Sequence, residues 1–277
     1  MSDYAHPEIL VDTAWVAQHL SDPDIRLVEL HFNSEEYDKG HIPGAVFWNV
    51  LSDIAQANDH YRINYDKSVF EQLMARSGIT TDMTIIFYGL NLAYGAWATW
   101  FINVFGHTHA RVMNGGRKKW IAEGRPLTTE KPAVTPTRYV AREPDQTLFA
   151  TREQVEDAIG SPNTIILDTR APREYNGELF WLNPPQDGER AGHIPGAVNV
   201  NYEATIQEDG MFKPADQLRA LYADISSEKE VIPYCTFGAR TAHTWFVLKY
   251  LLGYENVRGY YAGWYEWGRF PDTPVEK

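Results

Sequence analysis

The hexapeptide Gly40-His41-Ile42-Pro43-Gly44-Ala45 returns unchanged as Gly192-His193-Ile194-Pro195-Gly196-Ala197. Six identical residues in one chain of this length mean that one folding unit is present twice. Other pairs keep the same order. Val16, Pro23 and Glu29 match Val155, Pro162 and Asp168, each 139 positions on. Tyr88 matches Tyr234, Trp100-Phe101 matches Trp245-Phe246, and Gly116 with Trp120 matches Gly263 with Trp267. A period of roughly 140 to 150 residues belongs to a duplicated domain and exceeds any solenoid unit.

Both halves read in the same coarse order. A helical pattern (13–20; 151–159) leads to a short apolar strand (25–30; 164–168). After the Gly-His-Ile-Pro-Gly turn come a second strand (84–88; 230–234), a helix (95–104; 241–252) and a last strand (111–114; 256–260). A Gly-rich turn and a Trp-bearing helix start close each half. Strands alternating with helices predict an α/β fold. It has two domains, each a mainly parallel central sheet flanked by helices on both faces. Sites in such folds form where loops leave the carboxyl ends of strands. The expected division is a first domain over 1–127, a linker over 128–148 and a second domain over 149–277. The linker carries Pro132, Pro136 and Pro144 and little periodicity. The second half has about fourteen extra residues, near 177–188, before its turn; a surface loop is expected there.

Length, charge and cysteine usage narrow the function. A chain of 277 residues can bury two cores. A net charge of −12 argues against nucleic acid as a partner. No apolar run approaches the roughly 18 residues a membrane span needs. The first residues lack a basic region followed by an apolar stretch, and a single cysteine cannot form an intramolecular disulfide. A cytoplasmic protein is therefore expected, as a monomer or weak homo-oligomer. No metal or organic cofactor is implied. His107 and His109 have no third ligand nearby and read as a solvated loop pair.

The chemistry concentrates at Cys235. A lone cysteine is more often a small buried hydrophobe than a nucleophile. This one directly follows the apolar strand 230–234 and precedes Thr236-Phe237-Gly238-Ala239-Arg240 and a helical pattern. A thiol there meets unsatisfied N–H donors, a loop able to wrap its amides around an anion, and the charge of Arg240; all three favour the reactive thiolate. Gly238 permits the backbone such a curled loop demands. In the first half Gly89 stands where Cys235 stands, so that half is expected to be a partner supplying one wall of the cleft. His41 and His193 occur in both turns, with and without a nucleophile, and read as turn-stabilising hydrogen-bonders. The basic turn Gly115-Gly116-Arg117-Lys118-Lys119-Trp120 reads as structural with a solvated basic face, since its counterpart near Gly263 is not basic.

These residues resemble the rhodanese superfamily. The repeated turn, Asp168-Thr169-Arg170, the run Gly263-Trp264-Tyr265-Glu266-Trp267-Gly268 and the six-residue loop 235–240 all carry the likeness, which spans almost the whole chain. The resemblance implies two rhodanese-like domains, the first inactive and the second catalytic. It implies a thiosulfate sulfurtransferase: Cys235 takes the outer sulfur of thiosulfate, holds it as a persulfide cradled by Thr236, Phe237, Gly238, Ala239 and Arg240, and passes it to cyanide or a thiol. The partners so implied are a small-molecule sulfur donor and acceptor. Candidate donor contacts are Arg170, Arg173, Arg190 and Trp264. For Arg170 a structural pair with Asp168 is the favoured alternative, and for Arg190 simple surface exposure.

Two features depart from the family's pattern. Glu174-Tyr175 occupies the place where relatives acting on thiosulfate or mercaptopyruvate often carry an arginine before an aromatic. The loop also differs from the Cys-Gly-Ser/Thr-Gly-Val-Thr form of mercaptopyruvate enzymes. 3-Mercaptopyruvate sulfurtransferase is therefore a weaker alternative, beside a persulfide carrier serving a protein partner. A tyrosine-type phosphatase would need five residues between cysteine and arginine; four separate Cys235 from Arg240, which suits a sulfur atom better than a phosphate.

Overall fold

The computed structural model describes residues 3–56 and 62–277. The first half runs β1 (Leu10–Val11), α1 (Thr13–Gln18), β2 (Ile25–His31), α2 (Glu35–Lys39), β3 (Val46–Asn49), β4 (Ala55–Gln56), β5 (Arg62–Ile63), α3 (Lys67–Arg76), β6 (Thr84–Tyr88), α4 (Leu92–Val104), β7 (Ala110–Met113) and α5 (Gly116–Ala122). The second runs α6 (Arg152–Ala158), β8 (Thr164–Asp168), α7 (Pro172–Tyr175), β9 (Val198–Asn199), α8 (Ala215–Leu221), β10 (Glu230–Tyr234), α9 (Ala239–Phe246) and α10 (Gly263–Trp267). Side-chain caps start several helices. Asp12 accepts from the Trp15 amide, Asp66 from those of Ser68 and Val69, and Thr151 forms a reciprocal pair with Gln154.

The first sheet is parallel, in the order β1-β7-β6-β2-β3. Its central strands are near-continuous apolar runs because helices cover both faces. The second sheet pairs β10-β8-β9, also parallel. Single parallel bridges from Val231 to Val257, Tyr234 to Tyr260 and Phe149 to Gly259 extend it outward. The two sheets thus share one order. The strand expected over 256–260 is reduced to those bridges. Gly259 lies under the Tyr261 ring, where any side chain would collide, and a glycine so placed weakens a ladder.

The duplicated turns are built alike. His41 Nδ1 lies 2.9 Å from the Tyr37 carbonyl, and His193 Nδ1 lies 2.9 Å from the Tyr175 carbonyl. Each imidazole stacks on that tyrosine with ring centres 3.7 Å apart. The Ile42 and Ile194 amides donate to the hydroxyls of Tyr88 and Tyr234. Both histidines therefore hold turns, as the duplication suggested.

A buried carboxylate and arginine brace each half, by different routes. In the second half Arg170 bonds Asp168 (2.6 Å) and the Gly192 carbonyl (2.6 Å). In the first half Arg117 bonds Glu29 (3.2 Å) and the equivalent Gly40 carbonyl. Arg117 is buried, which corrects the solvated reading of its turn; only Lys118 of that run is exposed. His107 is corrected likewise. It is buried, bonded through Nδ1 to the Tyr139 hydroxyl at 2.9 Å, and burial pushes its pKa down to about 4, while His109 is exposed.

The halves share one apolar core in which Trp97 and Trp100 of α4 join Trp245 and Phe246 of α9. Residues 129–145 form no regular element, yet they are pinned to the first half by bonds from Thr137 to Ala75 and from Arg142 to Phe105. At the other end the Ala5 amide donates to the Leu251 carbonyl. Among the described residues no helix is long and apolar enough to cross a membrane.

Candidate active site

Cys235 leaves the carboxyl end of β10 and opens the loop that feeds α9. The Gly238 amide donates to its sulfur at 3.1 Å. Gly238 has φ 115°, outside the range L residues adopt, and a Cβ there would stand 2.7 Å from the Trp97 ring of α4. Glycine is thus required twice: to curl the loop around the sulfur, and to let the first half press against it. The loop's floor depends on Gly263, which brings the Trp264 amide to the Cys235 carbonyl (2.7 Å) and the Tyr265 amide to that of Thr236 (2.9 Å).

The first half repeats this floor without a nucleophile. The Arg117 amide donates to the Gly89 carbonyl at 2.9 Å. A Cβ on Gly89 would lie 2.7 Å from the Leu30 carbonyl oxygen and 2.7 Å from the Tyr94 Cβ. No side chain of any kind fits there without rearrangement.

At the far end of the loop Arg240 grips Glu174 through its two terminal guanidinium nitrogens, at 2.6 and 2.9 Å. It also donates to the Thr236 hydroxyl oxygen at 2.6 Å, and that hydroxyl donates to Glu174 at 3.2 Å. Burial opposes the guanidinium's charge, but the Glu174 bond and the neighbouring Cys235 and Glu174 outweigh it, so Arg240 is more firmly protonated than an ordinary arginine. The sequence marked Glu174 only as a position where relatives carry something else. It is the buried clamp of the loop.

Cys235 is 2% exposed and forms the base of a cavity of about 140 Å³. Phe32, Asn91 and Tyr94 of the first half face Trp181, Tyr202 and Phe237 of the second across it. Phe237 meets Phe32 and Trp181 edge-on, with ring centres 5.9 and 5.0 Å apart. The first half therefore does form a wall. The 177–188 insertion is more than a surface loop, since it delivers Trp181. None of these wall residues except Phe237 was singled out from sequence. They come from five separate segments, and only Asn91 and Tyr94 had a signal, standing two and five residues after the Cys235-equivalent Gly89.

The four candidate donor contacts are not among the residues that line this cavity. Arg170 is wholly buried against Asp168, as the structural alternative held. Arg173 is exposed and bonds Glu178 at 2.8 Å. Arg190 is half-buried and donates to the carbonyls of Thr273 (2.6 Å), Trp267 (3.1 Å) and Phe270. Trp264 is buried, with its indole N–H on the Arg190 carbonyl (3.0 Å) and its face under the Arg170 guanidinium (4.5 Å). Each guanidinium is occupied by protein oxygens. A larger cleft of about 440 Å³, between Tyr65, Phe149, Tyr261 and Phe270, has no thiol in its lining.

Comparison with known proteins agrees with this architecture. The family model described as "Rhodanese-like domain" matches residues 12–123 and again 151–269. The chain belongs to this family: it is a tandem rhodanese-like protein of the sulfurtransferase class. It is 43% identical to "Sulfur carrier protein TtuD" of Thermus thermophilus, over 99% of this chain and 98% of that one. It is 39% identical to a protein of Saccharopolyspora erythraea named "Putative thiosulfate sulfurtransferase", over 97% of this chain and 96% of that one. Among solved structures, the anaerobic ergothioneine biosynthesis enzyme of Chlorobium limicola superposes with a TM-score of 0.89 over 100% of this chain and 72% of that one, at 22% identity. That likeness concerns the fold.

Proposed function

We propose that this protein moves a sulfane sulfur from thiosulfate, through a persulfide on Cys235, to cyanide or a thiol. The carrying observation is the Cys235 sulfur at the base of the cavity, accepting the Gly238 amide inside a loop that curls around it. The Cys235 thiolate attacks the outer sulfur of thiosulfate. The sulfur–sulfur bond of the donor breaks, sulfite leaves with the electron pair, and the new Cys235 persulfide keeps one negative charge. The Gly238 amide already meets that sulfur, and Arg240 lines the same cavity, so both would stabilise the charge. The acceptor then attacks the outer sulfur and Cys235 departs as thiolate, giving a two-step exchange through a covalent intermediate.

A 3-mercaptopyruvate donor is less well served, because its carboxylate would need a cation and both Arg170 and Arg173 are engaged elsewhere. A second reading is favoured by the Thermus thermophilus relative, whose name is that of a sulfur carrier: Cys235 would pass its sulfur to a protein. Thiocyanate formation from thiosulfate and cyanide tests the first reading. Wild type should turn over and Cys235→Ser should fall to background. Equal inactivity of the two proteins would remove the small-molecule reaction.

A further inference from the structure

The charges around Cys235 balance within the protein, before any donor enters. Among the described residues, Arg240 is the one cation in the cavity lining, and none of that lining is a carboxylate. Its charge is met by Glu174, which is buried behind the loop with both carboxylate oxygens on the guanidinium. One shell further out Arg170 is met by Asp168. The opposite wall is uncharged: Phe32, Asn91 and Tyr94, with Trp181 and Tyr202 beside them. A pocket so arranged offers hydrogen bonds and aromatic faces to an anion, with little net positive field.

We propose that Glu174 is a specificity-determining residue, which offsets the charge of Arg240 so that the pocket favours sulfur donors with one negative charge over dianions. This rests on the sulfur-transfer reading and deepens it. Thiosulfate is accepted, but its second charge gains little. The step is the same for either donor: Cys235 thiolate takes the terminal sulfur and the sulfur–sulfur bond's electron pair leaves with sulfite or with a sulfinate. Two unit charges about 8 Å apart at an effective dielectric near 20 alter an equilibrium by roughly thirty-fold; partial screening by solvent brings this to about ten-fold.

The test compares thiosulfate with methanethiosulfonate, in which a methyl group replaces one anionic oxygen and removes one charge. Second-order rates of Cys235 persulfide formation are measured for both donors by rapid quench and intact-protein mass. Glu174→Gln should raise the thiosulfate to methanethiosulfonate rate ratio about ten-fold. Glu174→Asp keeps the charge while disturbing the clamp, so it should slow both donors and leave the ratio alone. An unchanged or lowered ratio in Glu174→Gln, or an equal rise in Glu174→Asp, would overturn the proposal. Should Glu174→Gln fail to fold, Asn91→Lys decides, since it adds a cation to the opposite wall without touching the clamp. It should raise the ratio, and an unmoved ratio would overturn the idea. Wild-type protein that gains no sulfur from either donor refutes the sulfur-transfer reading itself, whereas sulfur gained with an unmoved ratio refutes only the role of Glu174.

Discussion

Gly238→Ala strikes the point where the two halves meet the nucleophile. Three effects combine. A non-glycine residue at φ 115° carries about 1–3 kcal/mol of backbone strain. The new Cβ would sit 2.7 Å from the Trp97 ring, so the ring or the loop must move by several tenths of an ångström. Trp97 is fully buried in the shared core and cannot yield cheaply, so the loop moves. The Gly238 amide then leaves the sulfur, and a hydrogen bond to a charged group contributes about 1.5–3 kcal/mol. Loss of that bond in the transition state slows persulfide formation by about ten- to a hundred-fold. Single-turnover sulfur uptake from thiosulfate measures the rate, and urea unfolding measures the strain. Trp97→Phe in the same chain should recover part of the rate by making room, while leaving the φ strain in place. A Gly238→Ala protein with wild-type rate and stability would refute the claim that this glycine shapes the site.

Other consequences are more local. Asp168→Ala leaves Arg170 buried without its carboxylate and removes the acceptor of the Tyr234 hydroxyl, so urea unfolding should show a loss of about 3–5 kcal/mol; a loss below about 1 kcal/mol would contradict the bracing role. Burial holds His107 near pKa 4 and His243 near 3, against about 6.5 when unfolded. Below about pH 6.5 the unfolded chain binds protons that the folded chain refuses, so stability falls with pH by about 1.4 kcal/mol per unit for each histidine. The slope ends near pH 4 for His107 and near 3 for His243, and no such loss should occur above about pH 7. Stability across pH 4 to 7, beside His107→Gln, measures it; an unchanged slope in the variant would sink the assignment. Trp181→Ala opens the cavity mouth at a residue 41% exposed. It should alter stability by less than about 1 kcal/mol while speeding loss of the bound sulfur to external thiols, followed by mass spectrometry.

Much of the frame was legible because it rests on local pattern. Residues 84–88, 164–168 and 230–234 are apolar runs ending at turns, and they are the strands β6, β8 and β10. The duplication carried the reading from one half to the other. It failed where the halves solve one problem with different residues: Arg117 and Arg170 reach equivalent glycine carbonyls from unrelated positions, so the burial of Arg117 had no counterpart to reveal it. Helices α3 and α8 carry weaker patterns between the marked elements and were not singled out. The loop 235–240 is contiguous and could be read directly. The cavity walls could not, because Phe32, Tyr94, Trp181 and Tyr202 meet only through tertiary packing. The surroundings of the arginines are hidden from the sequence for a related reason. Sequence registers a guanidinium's charge but not the carbonyls of residues 267, 270 and 273 that occupy Arg190.

The central claim is that Cys235 carries sulfur, and intact-protein mass after brief exposure to thiosulfate tests it most directly. The account predicts a gain of one sulfur atom, mapped to the Cys235 peptide, lost on adding cyanide and absent in Cys235→Ser. A folded wild-type protein whose mass does not change, or a gain that survives in Cys235→Ser, would contradict it.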